Sequence, residues 1–118
     1  MDEKVNLTEK LSQFSERWAP RTVARLNDHD VMVVKVQGEF VWHQHEDADD
    51  FFLVLKGRLV VRMRGRDDMV LGSGELFVVP RRVEHQPVAE EETHLLLIEP
   101  TGTSNTGDKE TAAPRRTV

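Results

Sequence analysis

Two histidines one residue apart stand at the end of an apolar run, in the stretch "WHQHEDADDFF" at residues 42–52. On a β-strand, residues i and i+2 face the same side, so His43 and His45 would point together. Two imidazoles on one face can provide two neighbouring ligands to a single divalent ion. The alternative is a charged turn between two strands, in which Glu46, Asp47 and Asp49 are solvated.

Further ligands must come from elsewhere in the chain, and two candidates stand out. Asp50 opens the apolar run "FFLVL" five residues after His45, and a short turn would bring that strand back beside the histidine pair. His85 follows Pro80 and a turn-like stretch, and it enters a later strand. The competing interpretation for these histidines is a pocket of neutral imidazoles that holds water or a small ligand.

The elements that must position these residues are mostly short strands. From residue 21 to residue 100, β-branched and apolar residues alternate with polar ones, and turn compositions separate the runs. We count roughly nine such runs, among them "TVARL", "DVMVVKV", "EFVWHQH", "FFLVL", "ELFVVP", "EHQPV" and "HLLLIEP". Even spacing of short strands without helical crossovers predicts an all-β sandwich or barrel.

Both ends of the chain differ from this central part. Residues 1–20 form an N-terminal helical segment in this interpretation, with an amphipathic helix over 7–18, Asn6 as its cap and Pro20 after its end. Residues 21–100 form the barrel. Residues 101–118 are rich in Gly, Thr, Ser and charge, so we expect a flexible tail or a segment laid over the barrel surface.

Two motifs in the chain resemble those of the cupin superfamily. The first consists of a Gly, a His-x-His pair, an acid and a second Gly, and the second of a Gly, a Pro and a His; their positions are Gly38, His43, His45, Asp50, Gly57, Gly74, Pro80 and His85. The resemblance covers about residues 30 to 99 and is closest to small single-domain cupins, some of them labelled mannose-6-phosphate isomerase-like.

The resemblance implies an all-β, double-stranded β-helix (jelly-roll) barrel with a short N-terminal helix and a metal inside one end. The implied ligands are His43, His45, Asp50 and His85. Three imidazoles and one carboxylate suit Fe, Mn, Ni, Cu, Co or Zn as the divalent transition metal. With neutral imidazoles, the site would carry about one positive charge and would attract an anionic or chelating oxygen ligand.

The chain departs from the cupin pattern at two positions. Asp50 replaces a Glu, and its side chain is one methylene shorter. It therefore ligates directly, binds weakly or through water, or leaves a site of three histidines. Arg82 replaces a turn Gly. If residue 82 keeps a positive φ, the conformation costs about 1–2 kcal/mol.

Other residues are candidates for the pocket rather than ligands. Phe52 shares the parity of Asp50 and should line the inner wall. His94 opens the last strand and is either a pocket residue with an acid/base role or a partly buried structural histidine. Arg81 and Arg82 either clamp a carboxylate at the mouth of the barrel or are simply solvated.

Composition limits the possible partners. The formal net charge of -5 argues against nonspecific nucleic-acid binding and against docking on anionic lipid. No apolar run approaches the length of a membrane span, and the N-terminus lacks the pattern of a secretory signal, so we expect a cytoplasmic protein. Apolar residues on the outer faces of the strands, such as Phe51 and Leu53, must be covered, which predicts a homodimer.

Three hypotheses for function follow. The first is a metal-binding cupin enzyme that acts on a small oxygen-rich organic molecule with oxygenase-like or isomerase-like chemistry. The second is a non-catalytic module that binds or senses a small ligand in the same pocket. The third is a barrel without metal that has a structural role.

Overall fold

The computed structural model describes residues 3–108 and 110–118, and most of these residues lie in β-strands. One short helix, α1 (Leu7–Leu11), precedes the sheet. The strands are β1 (Arg21–Leu26), β2 (His29–Glu39), β3 (Asp50–Lys56), β4 (Arg58–Met63), β5 (Arg66–Gly72), β6 (Leu76–Val79), β7 (His85–Pro100) and β8 (Arg116–Thr117). The predicted all-β class with a short N-terminal helix is confirmed.

The strands form a jelly-roll in which β7 is the central element. Its 16 residues pair with β2, β3 and β4, always antiparallel. The main path runs β5-β4-β7-β2-β1-β8, and β3 pairs with both β6 and β7. Among the strands of the described residues, β1 and β8 are the one parallel pair. Because β7 crosses both halves of the fold, its first residue, His85, can face residues of the loop that follows β2.

Alternation along the strands builds one apolar interior. Met32, Val34 and Val36 from β2 face Leu95 and Leu97 from β7, and all five are buried. Full burial of such side chains contributes about 1.5–3 kcal/mol each. Burial of these side chains favours the folded barrel, and it leaves one end free for polar residues.

The N-terminal helix is shorter than the sequence predicted. It spans only Leu7–Leu11 instead of 7–18, although Asn6 does cap it by accepting from the Glu9 amide at 3.0 Å. Ser12 ends the helix. A turn follows it, and this turn places Phe14 in a buried position. Trp18 has a positive φ of 59°, so the backbone there is not helical. The apolar stripe was interpreted as helical, but only its first turn has that geometry.

The predicted strand "EFVWHQH" is also wrong in its details. Strand β2 ends at Glu39, and the following residues make only an isolated bridge, between His43 and His85. Phe40 lines the interior cavity, whereas Val41 is 52% exposed, the reverse of the parity expected for a regular strand. The two histidines nevertheless are both buried, as that parity predicted.

The C-terminal segment contacts the barrel at several points. Arg115 pairs with Asp30 and Glu99, and β8 adds to the edge of β1. The flexibility of residues 101–118 in solution stays a prediction.

The outer surface is partly covered. Leu11 and Phe14 pack against Val23 and Val33, with Leu55 beside them, so the N-terminal segment shields one outward apolar face. Within the described residues, α1 is the only helix, and no helix has the length and apolar character that crossing a bilayer would require.

Candidate metal centre

Strand pairing brings the two histidine motifs together. The amide of His43 donates to the carbonyl of His85 at 3.0 Å, and the amide of His85 donates to the carbonyl of His43 at 2.8 Å. The His45 carbonyl accepts from the amide of Arg82 at 2.8 Å, which holds the second loop against the first. These backbone bonds fix where the three imidazoles project.

Asp50 projects from the first position of β3 into the same cluster. Its Oδ2 atom lies 2.8 Å from Nε2 of His85, 3.2 Å from Nε2 of His45 and 3.9 Å from Nε2 of His43. All four side chains are buried, and one potential ligand atom from each lies within 4.8 Å of the others. The structure thus brings together all four residues that the sequence predicted as ligands.

The hydrogen bonds of the rings determine which nitrogen faces the cluster. Nδ1 of His43 lies 2.9 Å from the carbonyl of Val41, and Nδ1 of His85 lies 2.8 Å from the carbonyl of Val83. A carbonyl only accepts, so each Nδ1 carries the proton and each Nε2 of a neutral ring keeps a lone pair. These lone pairs point toward the Asp50 carboxylate, which also only accepts.

This arrangement fits a divalent cation. Neutral imidazole lone pairs and a carboxylate repel one another unless a proton or a metal ion lies between them. Nε2 of His45 is buried and makes no hydrogen bond to any described residue. Ligand atoms at about 2.1 Å from one ion lie about 3.0–4.2 Å apart, close to the observed spacing. The shorter Asp side chain therefore reaches the cluster.

Electrostatics within the cluster support the same conclusion. Burial alone would raise the pKa of Asp50, but the three imidazoles around it hold its pKa well below the usual range. Burial would lower the pKa of His45, but the adjacent Asp50 carboxylate raises it. The lowered pKa keeps Asp50 ionised, and a buried carboxylate among three imidazoles is a favourable place for a cation.

A small cavity of about 40 Å³ adjoins this cluster. Its wall is mainly apolar, with Val34, Val36, Phe52, Leu95 and Leu97 from the strands. His43, Asp50 and Glu99 supply polar groups, and Trp18 and Asn105 close the wall. An apolar chamber with a few convergent polar groups is the usual form of a small-molecule site.

Glu99 lines the cavity, although the sequence patterns did not identify it as a site residue. It lies near the end of β7, is 4% exposed, and accepts from Nη2 of Arg115 at 3.1 Å. Burial and the nearby Asp50 carboxylate raise the pKa of Glu99 to about 7. The run "HLLLIEP" offered one signal, because an acid in phase with buried Leu95 and Leu97 must itself face inward.

Of the other predicted pocket residues, Phe52 lies inside the barrel and His94 lies outside it. Phe52 is buried with its ring 6.1 Å from that of His85, as predicted. The structure does not bring His94 into the cavity: it lies on the outer face, 3.3 Å from Glu92, because its neighbours Thr93 and Leu95 occupy the inner positions of β7.

Arg82 lies at the rim of the site. Its φ is 66°, so the positive φ of the expected turn glycine is kept with an Arg in place. Its side chain is exposed and lies 3.7 Å from Glu46, while Arg81 pairs with Asp49 at 3.4 Å. Both arginines therefore face solvent and acidic loop residues.

The fold and the cluster define a class: a jelly-roll barrel with three histidines and one carboxylate at one end. The sequence matches the Cupin domain family over residues 30–99, more than half of the chain, and the protein belongs to that family. A cupin-2 domain containing protein from Shewanella frigidimarina NCIMB 400 is 44% identical, with a TM-score of 0.79 over 81% of this chain and 93% of that one.

Two further similarities differ in what they show. The Bacillus subtilis (strain 168) protein YdbB is 29% identical over 86 residues, which are 73% of this chain and 76% of that protein. A hydroquinone 1,2-dioxygenase from Sphingomonas sp. TTNP3, solved with 4-nitrophenol, is 22% identical, with a TM-score of 0.73. The match covers 83% of this chain but only 32% of the dioxygenase, and at this identity it shows the fold alone.

Proposed function

We propose that this cupin holds a divalent transition metal through His43, His45, His85 and Asp50, and acts as an enzyme on a small oxygen-rich organic molecule. The observation that carries the proposal is the convergence of three imidazole Nε2 atoms on Oδ2 of Asp50, at 2.8–3.9 Å, in a buried cluster. Such an arrangement is unfavourable without a cation and suits one well.

The bound metal would supply Lewis-acid chemistry or a place for dioxygen, which fits oxygenase-like or isomerase-like reactions. The chain's own residues supply the rest. Phe52, Leu95 and Leu97 exclude water from the cavity and hold the apolar part of a ligand. Three neutral imidazoles and one carboxylate leave about one positive charge with a divalent ion, which favours an anionic or chelating oxygen ligand.

Glu99 is the residue we assign to proton transfer in this site. Its carboxyl group lines the same cavity as His43 and Asp50, and Arg115 holds it in place. A buried carboxyl group beside a bound ligand can accept a proton from it and return that proton in a later step. The sequence alone had offered only His94 for this role, and His94 faces away from the cavity.

The test combines metal loading with a substrate panel. Metal-free protein is loaded in turn with Fe²⁺, Mn²⁺, Co²⁺, Ni²⁺, Cu²⁺ and Zn²⁺, and is incubated with small acids, diketones and sugars while oxygen uptake and products are measured. We expect conversion by wild type and none by His43→Ala. Tight binding of a panel compound without any conversion would instead favour the alternative of a binding or sensing module.

We further propose that the chain forms a homodimer through the outer face of β3 and β6. Phe51 pairs with Val78, and Leu53 pairs with Leu76. Leu76 and Val78 are among the most exposed large apolar residues, and β6 pairs with no strand other than β3 in the described chain. A second copy that packs against this outer face, beside the free edge of β6, would remove the apolar surface from water.

A further inference from the structure

The C-terminal segment crosses the end of the barrel at which the cavity lies. Asn105 lines the cavity together with Trp18, and its Nδ2 atom donates to the Trp18 carbonyl at 3.2 Å. The amide of Ala113 donates in turn to Oδ1 of Asn105 at 3.0 Å. The Asn105 side chain is therefore tied on both sides, to the N-terminal segment and to the later part of its own segment.

A second contact places the segment against the backbone of the metal cluster. Gly107 has a φ of +76°, and a Cβ atom built on it would overlap the carbonyl oxygen of Gln44. Gln44 stands between His43 and His45. The close approach of the two backbones therefore requires a glycine at residue 107, both for its conformation and for the space it leaves.

A third contact anchors the end of the segment. Nη1 of Arg115 lies 2.9 Å from Oδ2 of Asp30, and Nη2 lies 3.1 Å from Oε2 of Glu99. Arg115 also donates to the carbonyl of Thr103. Both carboxylates are buried and Arg115 is largely covered, so these are charge-assisted bonds with limited screening. Beyond Arg115, β8 pairs with β1.

The cavity beside the metal cluster is too small for an organic substrate. A volume of about 40 Å³ holds on the order of one to three water molecules. Sites for small organic molecules typically measure about 300–1,000 Å³. A ligand that reaches the cluster from this side must therefore displace part of the wall, and the C-terminal segment is the wall that does not belong to the barrel.

We propose that residues 101–108 and 110–118 form a movable strap over the ligand cavity, latched by Arg115 onto Asp30 and Glu99. Ligands enter between Trp18 and Asn105 when the strap lifts. The proposal rests on the proposed function only in taking this cavity as the site where the ligand meets the metal. It also couples closure to the proton-transfer residue, since releasing the latch removes the partner of Glu99.

Two variants test the strap from independent contacts. Gly107→Ala forces the segment away from Gln44 without changing the barrel, and Arg115→Gln removes the latch. The matched controls are Gly102→Ala, another positive-φ glycine whose added Cβ meets nothing within 4 Å, and Arg116→Gln, which removes an exposed charge beside the latch. Arg115→Gln leaves two buried carboxylates without their partner and can therefore destabilise the fold. If Arg115→Gln folds poorly, the test is made with Gly107→Ala alone.

The first readout needs no metal. The chain has two tryptophans, so in a Trp42→Phe background the fluorescence of Trp18 reports on the entrance. We expect the acrylamide quenching constant of Trp18 to rise about threefold in both variants, because local opening becomes more populated, and to remain near wild type in both controls. If the quenching constant stayed at the wild-type value in both variants, or rose equally in the controls, the proposed strap would be refuted.

The second readout uses protein loaded with Co²⁺ and azide as a small probe of access. If opening limits access, a strap that is open ten times more often should admit azide about tenfold faster, with the Co²⁺ spectrum itself unchanged. Increased quenching with an unchanged azide rate would show that ligands use another route and would contradict the proposal. Failure of wild type to bind Co²⁺ would refute the proposed metal site, and the strap would then be judged by quenching alone.

Discussion

Nε2 of His85 lies 2.8 Å from Oδ2 of Asp50, although the two residues are 35 positions apart in the sequence. Asp50 begins β3, and His85 begins β7. Their proximity depends on the bridge between His43 and His85, which joins the loop after β2 to the start of β7. This bridge joins the two distant motifs, and the pairing of β3 with β6 and β7 places Asp50 beside them.

Removing one imidazole should abolish tight metal binding. We expect His85→Ala to lose most of the stabilisation that Zn²⁺ or Co²⁺ gives to wild type, because three ligands then remain around the ion. At a free metal concentration of 100 times Kd, wild type should gain about 2.7 kcal/mol of unfolding free energy. Denaturant unfolding with and without metal measures this gain.

The control for that experiment is His29→Ala, which changes an exposed histidine at the start of β2. It should keep the full response to metal. An equal metal-induced gain in His85→Ala and in wild type would mean that the ion binds elsewhere.

Arg82 stores backbone strain that a glycine would relieve. With a φ of 66°, Arg82 lies in the left-handed region, so Arg82→Gly should raise the unfolding free energy by about 0.5–1 kcal/mol after allowing for the greater freedom of glycine in the unfolded chain. The matched variant Arg81→Gly should lower it by a similar amount, because Arg81 has no positive φ and pairs with Asp49.

Denaturant midpoints of the two variants, measured in parallel, show whether the positive φ of Arg82 lowers the stability of the protein. If Arg82→Gly were as destabilising as Arg81→Gly, the side chain of Arg82 would contribute more than its conformation costs.

The sequence predicted the metal cluster and the class of fold better than it predicted local geometry. His43, His45, Asp50 and His85 were identifiable because their spacings resemble the two cupin motifs, although residues 40–45 do not form the regular strand that was expected. The end of the helix predicted over 7–18 could not be identified from the sequence. The same apolar spacing also suits a turn that packs on the sheet, and the tertiary contacts of Phe14 favour the turn.

Glu99 and Arg115 show a second limit of the sequence. Their pairing joins the last long strand to a segment whose composition is typical of disorder. Nothing local predicts such a contact, because it depends on the path of the chain back over the barrel. The inward position of Glu99 follows from alternation, but the partner that makes its burial tolerable does not.

The stability of the metal-free protein should fall as pH rises from 5 to 8. A folded-state pKa of Glu99 near 7, above its unfolded value of 4.5, gives a contribution that is complete below pH 4.5 and is lost as pH rises through about 7. His45, whose pKa is also raised, adds a change of the same sign, so the wild-type slope alone does not isolate Glu99.

The difference between wild type and Glu99→Gln does isolate it. Urea midpoints of that variant should vary less between pH 5 and 8, while Glu90→Gln, at an exposed position of the same strand, should keep the wild-type slope. Identical slopes in wild type and Glu99→Gln would show that Glu99 is already ionised across this range.

Dimerisation through β3 and β6 should be sensitive to a single charge on that face. Leu76 is 55% exposed, and Leu76→Lys should convert the dimer to a monomer at micromolar concentration, because burying an unpaired ammonium is costly. Leu26→Lys places the same charge on an equally exposed residue at the end of β1 and should leave the dimer intact. Size-exclusion chromatography with light scattering reports the mass, and a monomeric wild type would refute the proposed interface.

The most direct test of the candidate metal centre is the metal content of the protein. Wild type and His43→Ala are purified without added metal, reconstituted with each divalent transition metal, freed of excess ion and measured by elemental analysis together with protein concentration. We expect about one tightly held ion per chain in wild type and almost none in His43→Ala. A wild-type content far below one ion per chain after reconstitution, or equal contents in the two proteins, would contradict the proposed metal centre.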